Sequence, residues 1–249
     1  MMPEGRATDF APGYSVTQTR TPADIEQAQR FRARCFGLIC AQDTDSHDHA
    51  YDHVLIRDVK TSTLVCCFRI LSMRPAEISR SYAARYYDLS RLEQFDGHML
   101  ELGRFCIDPA RRDSTILRLA WATLTDLVDT QGVKLLFGCS SFAGLDPTHY
   151  THAFAYLNRH ARAPARWAPQ PLLKGAVFLA QSAANKLDRR KALCQMPPLL
   201  RSYIGMGGWV SDHAVVDQTM NTLHVFTGLE IDAIPPVRQR LLRALRAAR

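Results

Sequence analysis

The sequence predicts an α/β protein of the mixed, α+β kind: a mixed central sheet flanked by helices, with a helical insertion. Three observations carry this. Helical and strand periodicities alternate along most of the 249 residues. A hairpin pattern interrupts the alternation in the first third, which argues against a doubly wound parallel sheet. A buried strand, a basic turn and a helix then follow one another between Met99 and Gln131.

The elements read as follows. Residues 1–13 are polar with Pro and Gly, and a flexible N-terminus is expected. Tyr14–Thr19 alternates like a strand. Thr21 and Pro22 stand as N-cap and first helical residue of a helix to about Phe36, with Ile25, Ala28, Phe31 and Cys35 on one face. A polar loop covers 37–50. His53–Val59 and Leu64–Ser72, joined by Lys60–Thr63, read as a hairpin. Residues 75–97 read as helix or loop around Tyr82, Tyr86 and Tyr87. Met99–Ile107 reads as a buried strand carrying one acid, Glu101, and one base, Arg104. A helix of about 114–131 ends at Gly132, and Val133–Cys139 is a buried strand. Asp146-Pro147 begins a helix to His160. Residues 162–200 hold five prolines and a helix expected near 175–191, an insertion or lid. Trp209–Val216 and Leu223–Ile231 read as strands, and 233–249 as a basic amphipathic helix starting near Val237. The domain proper is thus expected over 14–232.

The chain is 47% hydrophobic and 22% charged, which fits one large domain with ample core. No window approaches the roughly 20 apolar residues of a membrane span. The N-terminus has no apolar signal core, so a cytoplasmic protein is expected. The seven cysteines show no ligand spacing and read as reduced and mostly buried; neither metal nor redox chemistry is expected. The net charge of +7 is unevenly placed. Asp43, Asp45, Asp48, Asp52 and Asp58 face one base, Arg57. Nine Lys/Arg between 150 and 201 face one acid, Asp188, and the last fourteen residues hold Arg238, Arg240, Arg243, Arg246 and Arg249 with no acid. This pattern predicts an acidic pocket for a cationic small molecule and a basic face for an anionic partner. No helix-turn-helix or RNA-binding motif is present, and no nucleic-acid partner is expected.

Arg111, Arg112, Ser114 and Thr115 offer cations, hydroxyls and a helix N-terminus to phosphate. Residues 110–118 contain no glycine, whereas a diphosphate lying on the backbone usually wants glycines. The turn suits a single phosphate. Arg104 lies three residues beyond Glu101, so regular strand geometry puts the two on opposite faces unless a bulge intervenes. Asp48 and Asp52 are four apart and would share one face of a helical turn. They either receive a substrate ammonium or pair with arginines.

The element order, with its phosphate-like turn, resembles the GNAT acyltransferase superfamily. Glu101-Leu102-Gly103-Arg104, together with Arg32, Phe36, Asp48, Asp52 and Arg69, resembles signature positions of acyl-homoserine-lactone synthases. The segments Gly138–Phe142, Pro197–Tyr203 and Val216–Thr222 narrow the resemblance to the L-ornithine Nα-acyltransferases, over about residues 14–232. Where that family often has Ala, Lys and Ser, this chain has Ser140, Arg201 and Phe105. The resemblance implies transfer of a 3-hydroxyacyl chain from acyl carrier protein to the α-amine of L-ornithine, with no other cofactor. Glu101 would then assist deprotonation, Arg104 would organise the site, and Ser140 would donate to the thioester oxygen. Arg32, Phe36, Asp48, Asp52, Arg69, Ser141, Asp217 and Asn221 would surround the substrate, although Asp217 and Asn221 equally suit a turn between the last two strands. Arg111, Arg112, Ser114 and Thr115 would take the single phosphodiester of the carrier, steered in by Arg159, Arg162, Arg166, Lys174, Arg189, Arg190 and Lys191. The C-terminal helix would suit an anionic membrane surface, which extends the expectation to peripheral attachment at the inner membrane. The alternatives are acylation of glutamine or another amino acid, acyl-homoserine-lactone synthesis, and a non-catalytic module that binds carrier protein or membrane.

Overall fold

The computed structural model describes residues 7–11, 13–111, 113–172 and 175–247. The chain forms two compact units. One comprises Met1–Leu71, Leu102–Gly132 and Pro236–Arg249; the other comprises Ser72–Glu101 and Val133–Pro235.

The first unit opens with β1 (Ala7–Ala11) and β2 (Tyr14–Thr19) and the helix α1 (Pro22–Cys35). The side chain of Thr21 accepts the Asp24 N–H, so the predicted cap holds. β3 (Asp52–Asp58) and β4 (Leu64–Met73) form the expected hairpin, with Val54 opposite Phe68. β1 pairs antiparallel with β2 over Ala7–Ala11, and β2 pairs with β3. This corrects the expectation of a loose N-terminus for those residues: backbone pairing to a neighbouring strand orders a segment that composition alone marks as loose. Residues 1–6 and 12 lie outside the described residues. α2 (Ser114–Gln131) ends at Gly132, whose φ of +62° is the left-handed cap a glycine adopts without strain. Ala28, Phe31, Leu55, Cys67 and Cys106 form a small apolar cluster, with Phe36 packed against it.

The second unit contains 3-10 turns at Pro75–Arg80, Ala83–Arg85 and Ser90–Gln94, and the short strand β5 (Tyr87–Asp88). These elements define the stretch read as helix or loop. β6 (His98–Ile107) contributes His98–Glu101 here and its remainder to the first unit. β6 runs parallel to β7 (Val133–Ala143), and the last rung of that ladder is Glu101 against Phe137. β7 pairs antiparallel with β11 (Thr222–Glu230), which pairs with β10 (Trp209–Asp217). α3 (Thr151–His160) follows a 3-10 turn that Asp146 caps, so the helix expected from Asp146 begins a turn later.

Residues 175–188 form no helix, contrary to expectation. After the short strand β8 (Gln170–Pro171), the stretch holds the short strand β9 (Val177–Phe178) instead. β9 pairs with β10, and Leu179 is buried in the apolar core. The helices of the segment come later, as α4 (Arg189–Gln195) and α5 (Pro198–Gly205). Phe142, Phe154, Leu157, Met196, Leu200, Val210 and Leu223 belong to one apolar core cluster of this unit. Gly228 is required there: a Cβ would lie 2.5 Å from the Trp209 ring. The chain closes with α6 (Pro236–Ala247), in the first unit. The class is mixed α/β with mostly antiparallel strands, as the pattern predicts. Among the described residues no helix is long and apolar enough to cross a membrane.

Candidate active site

Strand β6 places Glu101 at 1% exposure among Met99, Leu100 and Leu102, all buried. Its carboxylate is held by backbone. Oε2 accepts the Tyr82 N–H and Oε1 the Ala83 N–H, each at 2.9 Å. The acid therefore fixes the turn that carries Tyr82 and Tyr86. Both phenols of that turn donate to Asp217 Oδ2, at 3.3 and 3.1 Å, while Asp217 Oδ1 accepts the Met220 N–H. Burial first, then the Tyr82 phenol and the Asp217 charge, push the Tyr86 phenol well above its ordinary pKa. The Arg85 guanidinium lies over both tyrosine rings.

Ser140 stands three residues beyond Phe137 on β7, inside the strand instead of at its end. It is buried, and its Oγ accepts the Thr227 hydroxyl at 2.9 Å. That bond occupies an acceptor site and leaves the Ser140 proton to be donated elsewhere. Ser141 points to the exposed side, opposite His224 in register. Asn221 is a turn residue with φ +50°, and its carbonyl accepts the Gly144 N–H. Of the sequence-predicted residues, Glu101, Ser140 and Asp217 thus lie in the second unit. Sequence reasoning missed their partners Tyr82, Tyr86 and Thr227. The spacing Tyr82-x-x-x-Tyr86 was the one local signal.

In the first unit three arginines and three aspartates close a ring. Arg32 makes two bonds to Asp48, at 3.0 and 2.9 Å. Arg69 Nη1 reaches Asp48 Oδ1 and Asp45 Oδ1, both at 2.7 Å. Arg104 bonds Asp45 Oδ2 at 3.0 Å and Asp43 Oδ2 at 2.9 Å, and Asp43 Oδ2 lies 2.8 Å from Arg32 Nε. Each aspartate bridges two arginines. Arg32, Arg69, Asp43 and Asp48 are buried. The Tyr51 ring lies under Arg69, and buried His53 donates to the Asp48 carbonyl. Burial alone would raise the Asp48 carboxyl, but bonds and charge from Arg32 and Arg69 outweigh it and hold the group well below the usual carboxylate range. Asp45 is lowered in the same way. Burial pushes the His53 imidazolium down, favouring the neutral ring.

This geometry corrects two expectations. The aspartates 43, 45 and 48 are consumed by arginines, so they form no pocket for a cation. Asp52 does not share a helical turn with Asp48: it starts β3 and bonds Arg20 and Gln18. Arg104, expected to organise the site, is paired with Asp43 and Asp45. Arg104 stands in β6 with φ +53°, a left-handed conformation uncommon for a residue with a Cβ. Phe36 is the C-cap of α1.

The N-terminus of α2 already holds an anion of its own. The Asp113 carboxylate accepts the Thr115 N–H and the Tyr14 hydroxyl, both at 2.8 Å, and Arg111 pairs with Asp58. Arg112 and Lys174 lie outside the described residues. In the second unit α3 packs on α4, whose neighbouring surfaces expose Arg159, Arg189, Arg190 and Lys191. Arg162 and Arg166 pair with Asp212 and Glu230. Among the described residues no three His, Cys, Asp or Glu side chains are arranged to hold a metal ion.

An acetyltransferase (GNAT) domain model matches residues 29–122, a span that takes in the whole ionic ring and Glu101. The L-ornithine N(alpha)-acyltransferase of Rhodobacter capsulatus is 32% identical over 238 residues, covering 89% of this chain and 91% of that protein. This chain belongs to the L-ornithine Nα-acyltransferase family. The family member of Rhizobium meliloti is 30% identical, over 86% of this chain and 79% of its own length. A solved N-acyl amino acid synthase from uncultured soil microbes aligns with a TM-score of 0.48 at 10% identity over 92% of each chain. Membership in the L-ornithine Nα-acyltransferase family makes this chain an acyltransferase and removes the alternative of a non-catalytic module.

Proposed function

We propose that this acyltransferase moves a 3-hydroxyacyl chain from acyl carrier protein to the α-amine of L-ornithine, giving lyso-ornithine lipid, with no cofactor beyond the carrier. The observation that carries the reading is the identity sustained over 91% of the Rhodobacter protein of that name. The burial of Glu101 in β6 supports it. Glu101 takes a proton from the α-ammonium, directly or through water, and the freed amine attacks the thioester carbonyl. Ser140, its oxygen already accepting from Thr227, donates to the developing oxyanion. The carbon–sulfur bond breaks, and the departing thiolate takes the second amine proton. Asp217, held by neutral phenols and one backbone N–H, is the acid proposed to meet the side-chain ammonium of ornithine, the role that the ring aspartates cannot fill.

Arg104 acts through the ring, which sets the backbone of β6 just beyond Glu101. Arg111, Ser114 and Thr115 stay in the proposal as contacts to the carrier phosphodiester, through side chains rather than the Thr115 N–H that Asp113 holds. The exposed Arg159, Arg189, Arg190 and Lys191 supply the basic face that an acidic carrier would approach.

The test is incubation of purified protein with 3-hydroxyacyl-carrier protein and ornithine, glutamine or homoserine in turn, with products read by mass spectrometry. Lyso-ornithine lipid is expected. No product with any amine, or product from glutamine alone, overturns the reading. Asp217→Asn removes the charge; its one amide oxygen can keep both phenol bonds only with the N–H₂ set against the Met220 N–H, so the thermal midpoint is read beside the kinetics. The variant should raise KM for ornithine about 10–100-fold, the worth of a bond to a charged group, with little change in kcat.

A further inference from the structure

Helix α6 packs on α2. Its inner side is given by Gln239 and Leu242, both half-buried, and by Arg243, which bonds Asp129 of α2 at 3.3 and 3.2 Å. The opposite side is open to solvent. Val237 and Leu241 are 59% and 55% exposed there, and Ala244 is exposed too. At 100° per residue these three positions fall within an arc of about 60°. Arg238 and Arg240, both exposed, flank that arc on either side. An apolar stripe turned to solvent is costly unless something covers it, and a stripe between two guanidiniums has a specific complement. Aliphatic side chains enter the acyl boundary of a bilayer while the arginines reach back to anionic headgroups.

We infer that the outer face of α6 is a docking surface for an anionic lipid bilayer, seating Val237 and Leu241 in the interface and Arg238 and Arg240 on lipid phosphates. The charge of the segment agrees: residues 236–249 hold five arginines and no acid. No residue of this surface is assigned a part in the acyl transfer, so the surface governs where the enzyme works.

The experiment is cosedimentation of the full chain with vesicles of phosphatidylcholine alone or mixed with phosphatidylglycerol, beside binding to purified acyl carrier protein. Binding is expected to the mixed vesicles and to weaken with salt. Arg238→Gln with Arg240→Gln should weaken it about 30-fold, the combined effect of two cations at an anionic surface. Val237→Asn with Leu241→Asn should weaken it at least about tenfold through lost apolar burial. Both variants should keep the wild-type thermal midpoint and the wild-type turnover of carrier-borne substrate without vesicles. Equal affinity for both vesicles, vesicle binding unchanged by either variant, or loss of carrier binding in place of vesicle binding overturns the proposal.

Discussion

The acids of the two units are held by different partners, and the difference separates scaffold from chemistry. In the first unit Asp43, Asp45 and Asp48 each bridge two guanidiniums. Three cations against three anions leave the ring neutral and its members committed to one another. In the second unit Glu101 accepts two backbone N–H groups among its contacts, and Asp217 accepts two phenols and one N–H. Neutral donors orient a carboxylate without cancelling its charge. An acid so held is oriented for a proton or an ammonium group, whereas an acid between arginines is already answered. By this criterion the charge-rich loop that composition singles out is architecture, and the sparser acids of the strands and turns are the ones proposed to meet the substrate.

The sharpest way to break the comparison is Glu101→Gln. Losing a general base should cut turnover about 10²–10⁴-fold. The new amide also sets an N–H₂ against a backbone N–H, which should cost roughly 1–3 kcal/mol of stability. Turnover and thermal midpoint must be measured together: activity falling only as far as stability would make Glu101 a structural acid like those of the ring.

Arg69→Ala makes the opposite test. It strips Asp45 and Asp48 of a shared cation in a buried setting, and removing one partner of such a network costs about 3–5 kcal/mol. Denaturant unfolding should show that loss. Solubilised variant that still folds at low temperature should retain measurable turnover, because no ring member is assigned to the substrate.

How much of this was legible in the sequence follows from the range of each interaction. Thr21-Pro22, Gly132 and the 53–72 hairpin are local signals, and each lies where read. The run from Ala176 to Ala180 looked helical because short apolar runs suit either state. Pairing of Val177–Phe178 with β10 decided it, a tertiary effect on a segment without strong preference. For the site, the sequence singles out Arg32, Asp48, Arg69 and Arg104. Their mutual closure was not legible, since an acid facing an arginine and an acid facing a substrate look alike in a string of letters. Asp43 and Asp45 entered only as composition. Tyr82 and Tyr86 meet Asp217 across 135 and 131 residues, a range at which periodicity is silent.

The two regions should also fail at opposite ends of the pH scale. Asp45, Asp48 and His53 have lowered pKa values in the folded chain. Their stabilisation is present above their unfolded values and is lost as pH falls, first for His53 below about 6.5 and then for the aspartates below about 4. Tyr86 and Tyr87 are raised by burial, so their stabilisation is present in acid and neutral solution and is lost as pH climbs above about 10. Hydrogen exchange read by mass spectrometry should show peptides around 32–48 losing protection first in acid. Peptides around 82–87 should lose it first in alkali. Simultaneous loss at both extremes would show that the two sets of acids do not differ as described.

The smallest expected effect tests the most specific claim, that Thr227 sets Ser140 up as a donor. Thr227→Val keeps the shape and removes only the hydroxyl that donates to Ser140 Oγ. A neutral hydrogen bond is worth about 0.5–1.5 kcal/mol, so kcat should fall about 2–12-fold with KM for ornithine unchanged. Thr227→Ser, which restores the donor, should restore kcat. A merely structural Thr227 would lower the thermal midpoint in the valine variant and leave kcat at the wild-type value. Only a hydroxyl pair that acts on the reacting oxygen moves the rate and leaves substrate binding where it was.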